Sequence, residues 1–361
     1  MYIIARDIHF VKYRRTRFLL SPKFPLDKSC VFRTLGSHTA LQILKGAHDE
    51  GFKTICICRK DNADFYKSYK FVDEIILVDN WTSFFKIEDR LIKENAILIP
   101  HGSFVSYIKP ENVEKIKVMH YGTKGILDWE SDRRKERKWL QMAKINTPKI
   151  YEKPEDIDRP VIVKFHGALG GKGYFIANNP KEFYERIKEY PNEKDYALQE
   201  YVVGVPLYIH YFHSSLTGEL EIMSFDKRYE SNADSIGRIA AKDQLDVKIR
   251  TSYTITGNMP LVVRESLLPE MYEMGKRVVE ASKKLVGKGL FGPFCLETIV
   301  DPDLKFYVFE ISARIVAGTN PYINGSPYTW LKYDVPMSTG RRIALEIKRA
   351  IKAGKLSKIL G

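Results

Sequence analysis

Cysteine is scarce. Four occur in 361 residues, Cys30, Cys56, Cys58 and Cys295, with no CxxC pair and no histidine at ligand spacing beside them. A disulfide scaffold is excluded and a structural zinc site has no support. Long apolar runs are missing too: nothing approaches the roughly eighteen uncharged residues of a membrane-crossing helix. Residues 1–20 carry Arg6, Lys12, Arg14, Arg15 and Arg17 and lack an apolar centre, unlike a secretory signal. These absences place the chain in the cytoplasm, without membrane partners. No GxGxxG follows the first predicted strand, so a dinucleotide cofactor is not expected. Internal repeats and low-complexity stretches are lacking as well.

What is present suits two or three globular domains, with 44% apolar and 12% aromatic residues. The net charge of +13 favours anionic partners, either nucleic acid or phosphorylated small molecules. Residues 1–29 hold seven bases against two acids and so contribute +5 of that charge. They read as a basic N-terminal arm. No aromatic-basic nucleic-acid module accompanies it, so a nucleic-acid partner is not expected. Mixed-sign helices such as Ser131–Lys138 read as solvated faces.

From residue 30 to 129 short β-branched runs (Val31–Leu35, Thr54–Ile57, Ile75–Val78, Ile97–Pro100) alternate with helical segments (Thr39–Glu50, Phe84–Glu94). That pattern predicts a Rossmann-like α/β domain on a parallel sheet. Residues 130–205 form a second unit, with a charged helix, the strand Val161–Phe165 and a glycine-rich run. Residues 206–361 mix strands near Tyr208–His213 and Leu220–Phe225, a helix Leu268–Val286, and a hairpin of Phe294–Val300 with Phe306–Ile311, an α+β pattern.

Several constellations carry chemistry. Strand ends open into Gly36-Ser37-His38 and His101-Gly102-Ser103. Ligands bind beyond the carboxyl ends of parallel strands, and these turns fit a phosphate or a small polar substrate. The run from Gly167 through Gly170, Gly171, Lys172 and Gly173 is not a Walker A motif, because position 166 is His and Gly173 stands where Ser or Thr would hold a metal. It still reads as backbone bent over phosphates. Lys164, at the end of an apolar strand, calls for an anion to neutralise it. In the hairpin, the midpoint of positions 297 and 310 falls between Asp303 and Leu304, inside the turn. Glu297 and Glu310 therefore face each other within reach of one metal ion. Ser312 and Arg314 share the side of Glu310. Two acids and a guanidinium on one face describe a magnesium-phosphate site. Cys56 and Cys58 read as core, and His210 and His213, three apart on a strand, as facing opposite ways.

Together Lys164, Gly170–Gly173, Glu200-Tyr201-Val202 and the Glu297/Glu310 pair resemble an ATP-grasp ligase. Longer phrases resemble the archaeal PurP family of formate-dependent purine synthetases: Thr34-Leu35-Gly36-Ser37-His38-Thr39, Pro100-His101-Gly102-Ser103-Phe104, Asp226-Lys227-Arg228-Tyr229-Glu230-Ser231-Asn232, Thr256-Gly257-Asn258 and Gly292-Pro293-Phe294-Cys295-Leu296. The resemblance implies an ATP-grasp fold behind a Rossmann-like domain. It also implies formylation of 5-aminoimidazole-4-carboxamide (AICAR) ribotide with ATP, formate and Mg²⁺ or Mn²⁺, through formyl phosphate. In this reading Lys164 and Gly170, Gly171, Lys172 and Gly173 hold phosphates, Glu200, Val202 and Glu230 bind ATP, and Glu297 and Glu310 bind the metal. His38, Ser103 and Asn258 hold the ribotide, Arg314 serves catalysis, and the assembly is a trimer or hexamer. The chain departs from the family in Gly122–Glu130, where three arginines are replaced, and in Ala313–Asn320, where an Asp is missing. A PurP-like ligase for another carboxylate and amine is the alternative.

Overall fold

The structure, a computed structural model, describes residues 30–165, 174–191, 195–247 and 253–361. Both the basic arm and the loop Gly170–Gly173 fall outside these residues.

Strands β1 (Val31–Leu35), β2 (Lys53–Cys58), β3 (Glu74–Leu77), β4 (Ala96–Leu98) and β5 (Met119–His120) form a parallel sheet in the order β3-β2-β1-β4-β5. β1 is buried at every position, as a parallel strand covered on both faces should be. The helix Thr339–Lys352 packs on the helix Ala40–Asp49. Glycines permit that crossing: a Cβ at Gly340 would lie 2.2 Å from the Gln42 carbonyl oxygen, and one at Gly46 would lie 2.2 Å from the Arg341 nitrogen.

A second sheet contains β6 (Ile150–Tyr151), β7 (Val161–Phe165), β8 (Tyr174–Ala177) and β9 (Tyr196–Glu200) in the order β6-β9-β7-β8, all antiparallel. Along β7, Val161, Val163 and Phe165 enter a core with Phe175 and Phe183, while Ile162 and Lys164 alternate to the other face.

The third sheet, order β12-β11-β10-β13-β14, is also antiparallel: β10 (Val205–His213), β11 (Leu220–Ser231), β12 (Tyr253–Leu261), β13 (Gly292–Val300) and β14 (Phe306–Ser312). One face packs on the helix Leu268–Leu285 through Met271, Met274, Val278 and Val279. The other carries polar residues.

Asp132 caps the helix Arg133–Met142 by accepting from the Arg134 and Lys135 N–H groups. That helix and its predecessor, Lys124–Ser131, run along the free edge of β14. The Glu136 carboxylate accepts from Ile311 N–H, Glu130 accepts from Ala313 N–H at 2.8 Å, and Val308 N–H donates to Asn146 O at 2.9 Å. Ser131–Lys138 is therefore not simply a solvated face. Glu136 is buried because an edge strand needs acceptors for its outward N–H groups.

Candidate active site

The hairpin register pairs Glu297 of β13 directly with Glu310 of β14, with a bulge immediately after. Glu297 is 2% exposed, whereas Glu310 is open to solvent. One Glu297 oxygen accepts from Arg228 Nη2 at 2.5 Å and from Ser312 Oγ at 3.5 Å. The other is buried with no partner. Burial first, then the Glu310 charge, push Glu297 up to about 8. An orphaned carboxylate oxygen beside a second carboxylate fits a hard divalent cation. Among the described residues no group of three or more His, Cys, Asp or Glu could hold a metal, so such an ion would need further oxygen ligands of another kind, such as amide or backbone carbonyls, water or substrate.

A cleft of about 920 Å³ separates this edge from the second sheet and is lined by Lys164, Gln199, Phe309, Glu310, Glu136 and Arg133, among others. Lys164 donates to Gln199 Oε1 at 3.2 Å and lies 5.8 Å from the Phe309 ring centre. Burial holds its ammonium below the ordinary lysine range, and Arg133 acts in the same direction. Glu310, Glu136 and Glu297 act in the opposite direction. Glu200 alternates away from Gln199; its carboxylate accepts from Lys149 N–H at 2.9 Å and from Arg159 Nη1 at 3.1 Å. The Tyr201 N–H reaches Pro160 O at 2.8 Å, while the Val202 N–H has no protein partner among the described residues. Glu230 is half-buried on the β11 face that also carries Asp226 and Arg228, and burial raises its pKa.

At the far end of the third sheet the first sheet's turns come in. His38 stacks on His101, ring centres 5.6 Å apart and nearly parallel. His38 sits at φ 56°, a strained conformation for a non-glycine residue of the kind that collects at functional sites. His101 Nε2 meets Leu35 O at 3.0 Å and its Nδ1 accepts from Ser103 N–H at 3.2 Å. Burial pushes His38 down to about 3 and His101 to about 4. Arg314 contributes to both shifts and also lowers Glu297, and its neighbour Ile315 bridges to His101. Arg314 is anchored to Glu130 at 2.6 Å, with its Nε buried and unpartnered. Asn258 donates to Asp226 at 2.7 Å, and the Asn320 amide donates to His38 O at 3.2 Å.

The structure thus gathers His38, Ser103, Asn258 and Arg314 at one end and Lys164 and Glu310 at the cleft, with the buried Glu297 paired to Glu310. Several residues escaped the sequence reading. Arg228, stacked on Tyr208 at 4.5 Å, lies in a phrase quoted above and could have been found from its alternation with Glu230. Glu130 and Glu136 gave no local signal. His210 and His213 carry no shared ligand set, but His210 pairs with Asp226 across the ladder at 2.7 Å.

Two families described only as of unknown function match the chain, DUF1246 over residues 32–151 and DUF1297 over residues 183–361. A Pyrococcus abyssi protein named 5-formaminoimidazole-4-carboxamide-1-(beta)-D-ribofuranosyl 5'-monophosphate synthetase is 56% identical over 333 residues, which is 91% of this chain and 97% of the relative. The crystal structure of an IMP biosynthesis protein PurP from Thermococcus kodakaraensis superposes with a TM-score of 0.75 at 30% identity, covering 92% of this chain and 100% of that one. The biotin carboxylase domain of a Hydrogenobacter thermophilus 2-oxoglutarate carboxylase, solved with MgADP, superposes at TM-score 0.61 and 14% identity, covering 91% of this chain and 72% of that one. That last likeness concerns the fold alone.

Proposed function

Because the chain belongs to the PurP family of 5-formaminoimidazole-4-carboxamide ribotide synthetases, ATP-grasp ligases by fold, we propose that it formylates AICAR ribotide with ATP and formate, releasing ADP and phosphate. The observation that carries this is the cleft itself, which sets Lys164 of one sheet opposite Glu310 of the other, beside the buried Glu297.

Glu297 and Glu310 would hold a divalent ion, Mg²⁺ or Mn²⁺, which when bound supplies charge neutralisation for the phosphates. Lys164 binds phosphate oxygens, and the loop Gly170–Gly173, outside the described residues, serves the same end in this reading. Glu200 and Val202 form the adenine hinge, where the unpartnered Val202 N–H offers a donor to the base. Glu230 completes the nucleotide contacts. Formate attacks the γ-phosphorus of ATP, and ADP leaves. The ribotide's 5-amino group then opens formyl phosphate, an amide bond forms, and phosphate leaves with the former formate oxygen. Arg314, near Glu297, neutralises phosphate charge in both steps. His38, Ser103 and Asn258 hold the ribotide. Burial disfavours the cationic form of His38 and His101, so in this reading they serve as hydrogen-bonding groups. The chemistry is otherwise positioning.

A second reading, a related ligase for another carboxylate and amine, draws on the altered Gly122–Glu130 and Ala313–Asn320 stretches. Omission experiments separate the two. ADP release that needs ATP, Mg²⁺, formate and AICAR ribotide together, with the formamido product detected, supports the first. ATP binding without turnover on these substrates supports the second. A trimer or hexamer is the assembly this reading carries, and light scattering on the purified protein measures it.

A further inference from the structure

Asp226 of β11, 1% exposed, is the midpoint of a hydrogen-bonded row of which the chemistry above uses only Asn258. His210 Nε2 lies 2.7 Å from one of its oxygens, and Asn258 Nδ2 lies 2.7 Å from the other. The ladder explains the meeting: Tyr208 pairs with Asp226, so His210, two residues on, shares its face, and Asn258 pairs with the neighbouring Arg228. A carboxylate only accepts, so both neighbours have to donate. The imidazole proton is thereby placed on Nε2. His210 Nδ1 is buried without a partner, and a second N–H there would be an unsatisfied donor. The same rule turns the Asn258 NH₂ inward and leaves Oδ1 as the outward atom, with no protein partner among the described residues. Gly318 closes the row from outside. A Cβ there would lie 2.2 Å from Asp226 Oδ1 and 2.7 Å from His210 Cε1, so the loop seals the pair directly. The next residues, Thr319 and Asn320, accept from Gln42 near His38.

We propose that Asp226 is a positioning residue that locks Asn258 with its amide oxygen outward, as a fixed acceptor for an N–H group of the ribotide. This rests on the ribotide reading given above. An unanchored asparagine can turn its amide by half a revolution and greet an acceptor as readily as a donor. The anchored one cannot, so a ligand lacking the N–H leaves a carbonyl unpaired, which discriminates strongly.

The test compares wild type with Asp226→Asn and with the exchange Asp226→Asn/Asn258→Asp. The exchange restores donor facing acceptor and again leaves an acceptor outward. The single variant should raise the KM for AICAR ribotide by about tenfold or more, the loss of one fixed hydrogen bond, while the KM for ATP stays within about twofold. The exchange should recover much of the loss. An unchanged ribotide KM in folded Asp226→Asn, or both KM values rising together without recovery in the exchange, overturns the proposal. Nitrogen-15 NMR of the wild-type imidazole is an independent readout that needs no variant to fold: the Nε2–H tautomer of His210 is expected, and an Nδ1–H tautomer overturns the row. Should wild type neither bind nor turn over AICAR ribotide, the functional reading fails, and the row is judged on that tautomer alone.

Discussion

Glu297 is an acid held where ionisation is costly, with one oxygen on Arg228 and the other facing nothing. A cation shared with Glu310 would remove that cost. Glu310 is exposed on an edge strand and supports little packing. Glu310→Ala should therefore lower ADP release by about a hundredfold or more, with far-UV circular dichroism unchanged; wild-type ADP release from the folded variant would remove the metal assignment. Asn258→Ala should raise the ribotide requirement in steady-state kinetics and leave ATP binding, measured by calorimetry, as it was. Away from the site, His120 is fully buried with its Nε2 unpartnered, and burial pushes it down to about 4. The unfolded chain takes up that proton near pH 6.5, and the folded one only near 4. Its contribution to stability is thus present above pH 6.5 and is lost as pH falls toward 4. Urea unfolding of His120→Gln should show a pH slope in that window shallower than wild type by up to one proton, about 1.4 kcal/mol per pH unit. Equal slopes would mean that the ring already titrates normally in the fold.

Elements differ in how much of themselves they show in sequence. β1 and β7 were read to the residue, because continuous or alternating burial leaves an apolar pattern. The β13–β14 hairpin yielded its register as well, since a short turn fixes which residues face each other. β12 did not. It is an edge strand interrupted by Gly257 and Pro260, with Ile255 and Met259 exposed, so no buried face writes an alternation into it. Yet it delivers Asn258, which only the longer phrase resemblance singles out. The helix Arg133–Met142 misled in the opposite sense: its charge suggested solvent, and the burial of Glu136 follows from the edge of β14, a partner 175 residues away. The packing of the helix Thr339–Lys352 on the helix Ala40–Asp49 was equally silent. Gly340→Val tests it, because its Cβ would meet backbone, which cannot step aside. Overpacking of this kind should cost about 2–3 kcal/mol in urea unfolding; an unchanged midpoint would show that the crossing has slack.

At the scale of the molecule the site exists only where three sheets meet. The second sheet brings Lys164, the third brings Glu297, Glu310 and Asn258 with Arg314 just past its last strand, and the turns of the first bring His38 and Ser103. The bridge between His101 and Ile315 ties the first sheet to the segment carrying Arg314. Residue types and local spacing made the two halves of the site legible separately. Their juxtaposition was not, because the contacts that create it (Gln42 with Thr319, Glu130 with Arg314) join positions 277 and 184 residues apart that share no periodicity. In the reaction proposed above, a formate oxygen attacks phosphorus before the ribotide amine is formylated. Turnover of [¹⁸O₂]formate with ATP, Mg²⁺ and AICAR ribotide, read by mass spectrometry of the products, tests it directly. One ¹⁸O in the released phosphate and one in the formamido product is the predicted result. Product formed with unlabelled phosphate would contradict it.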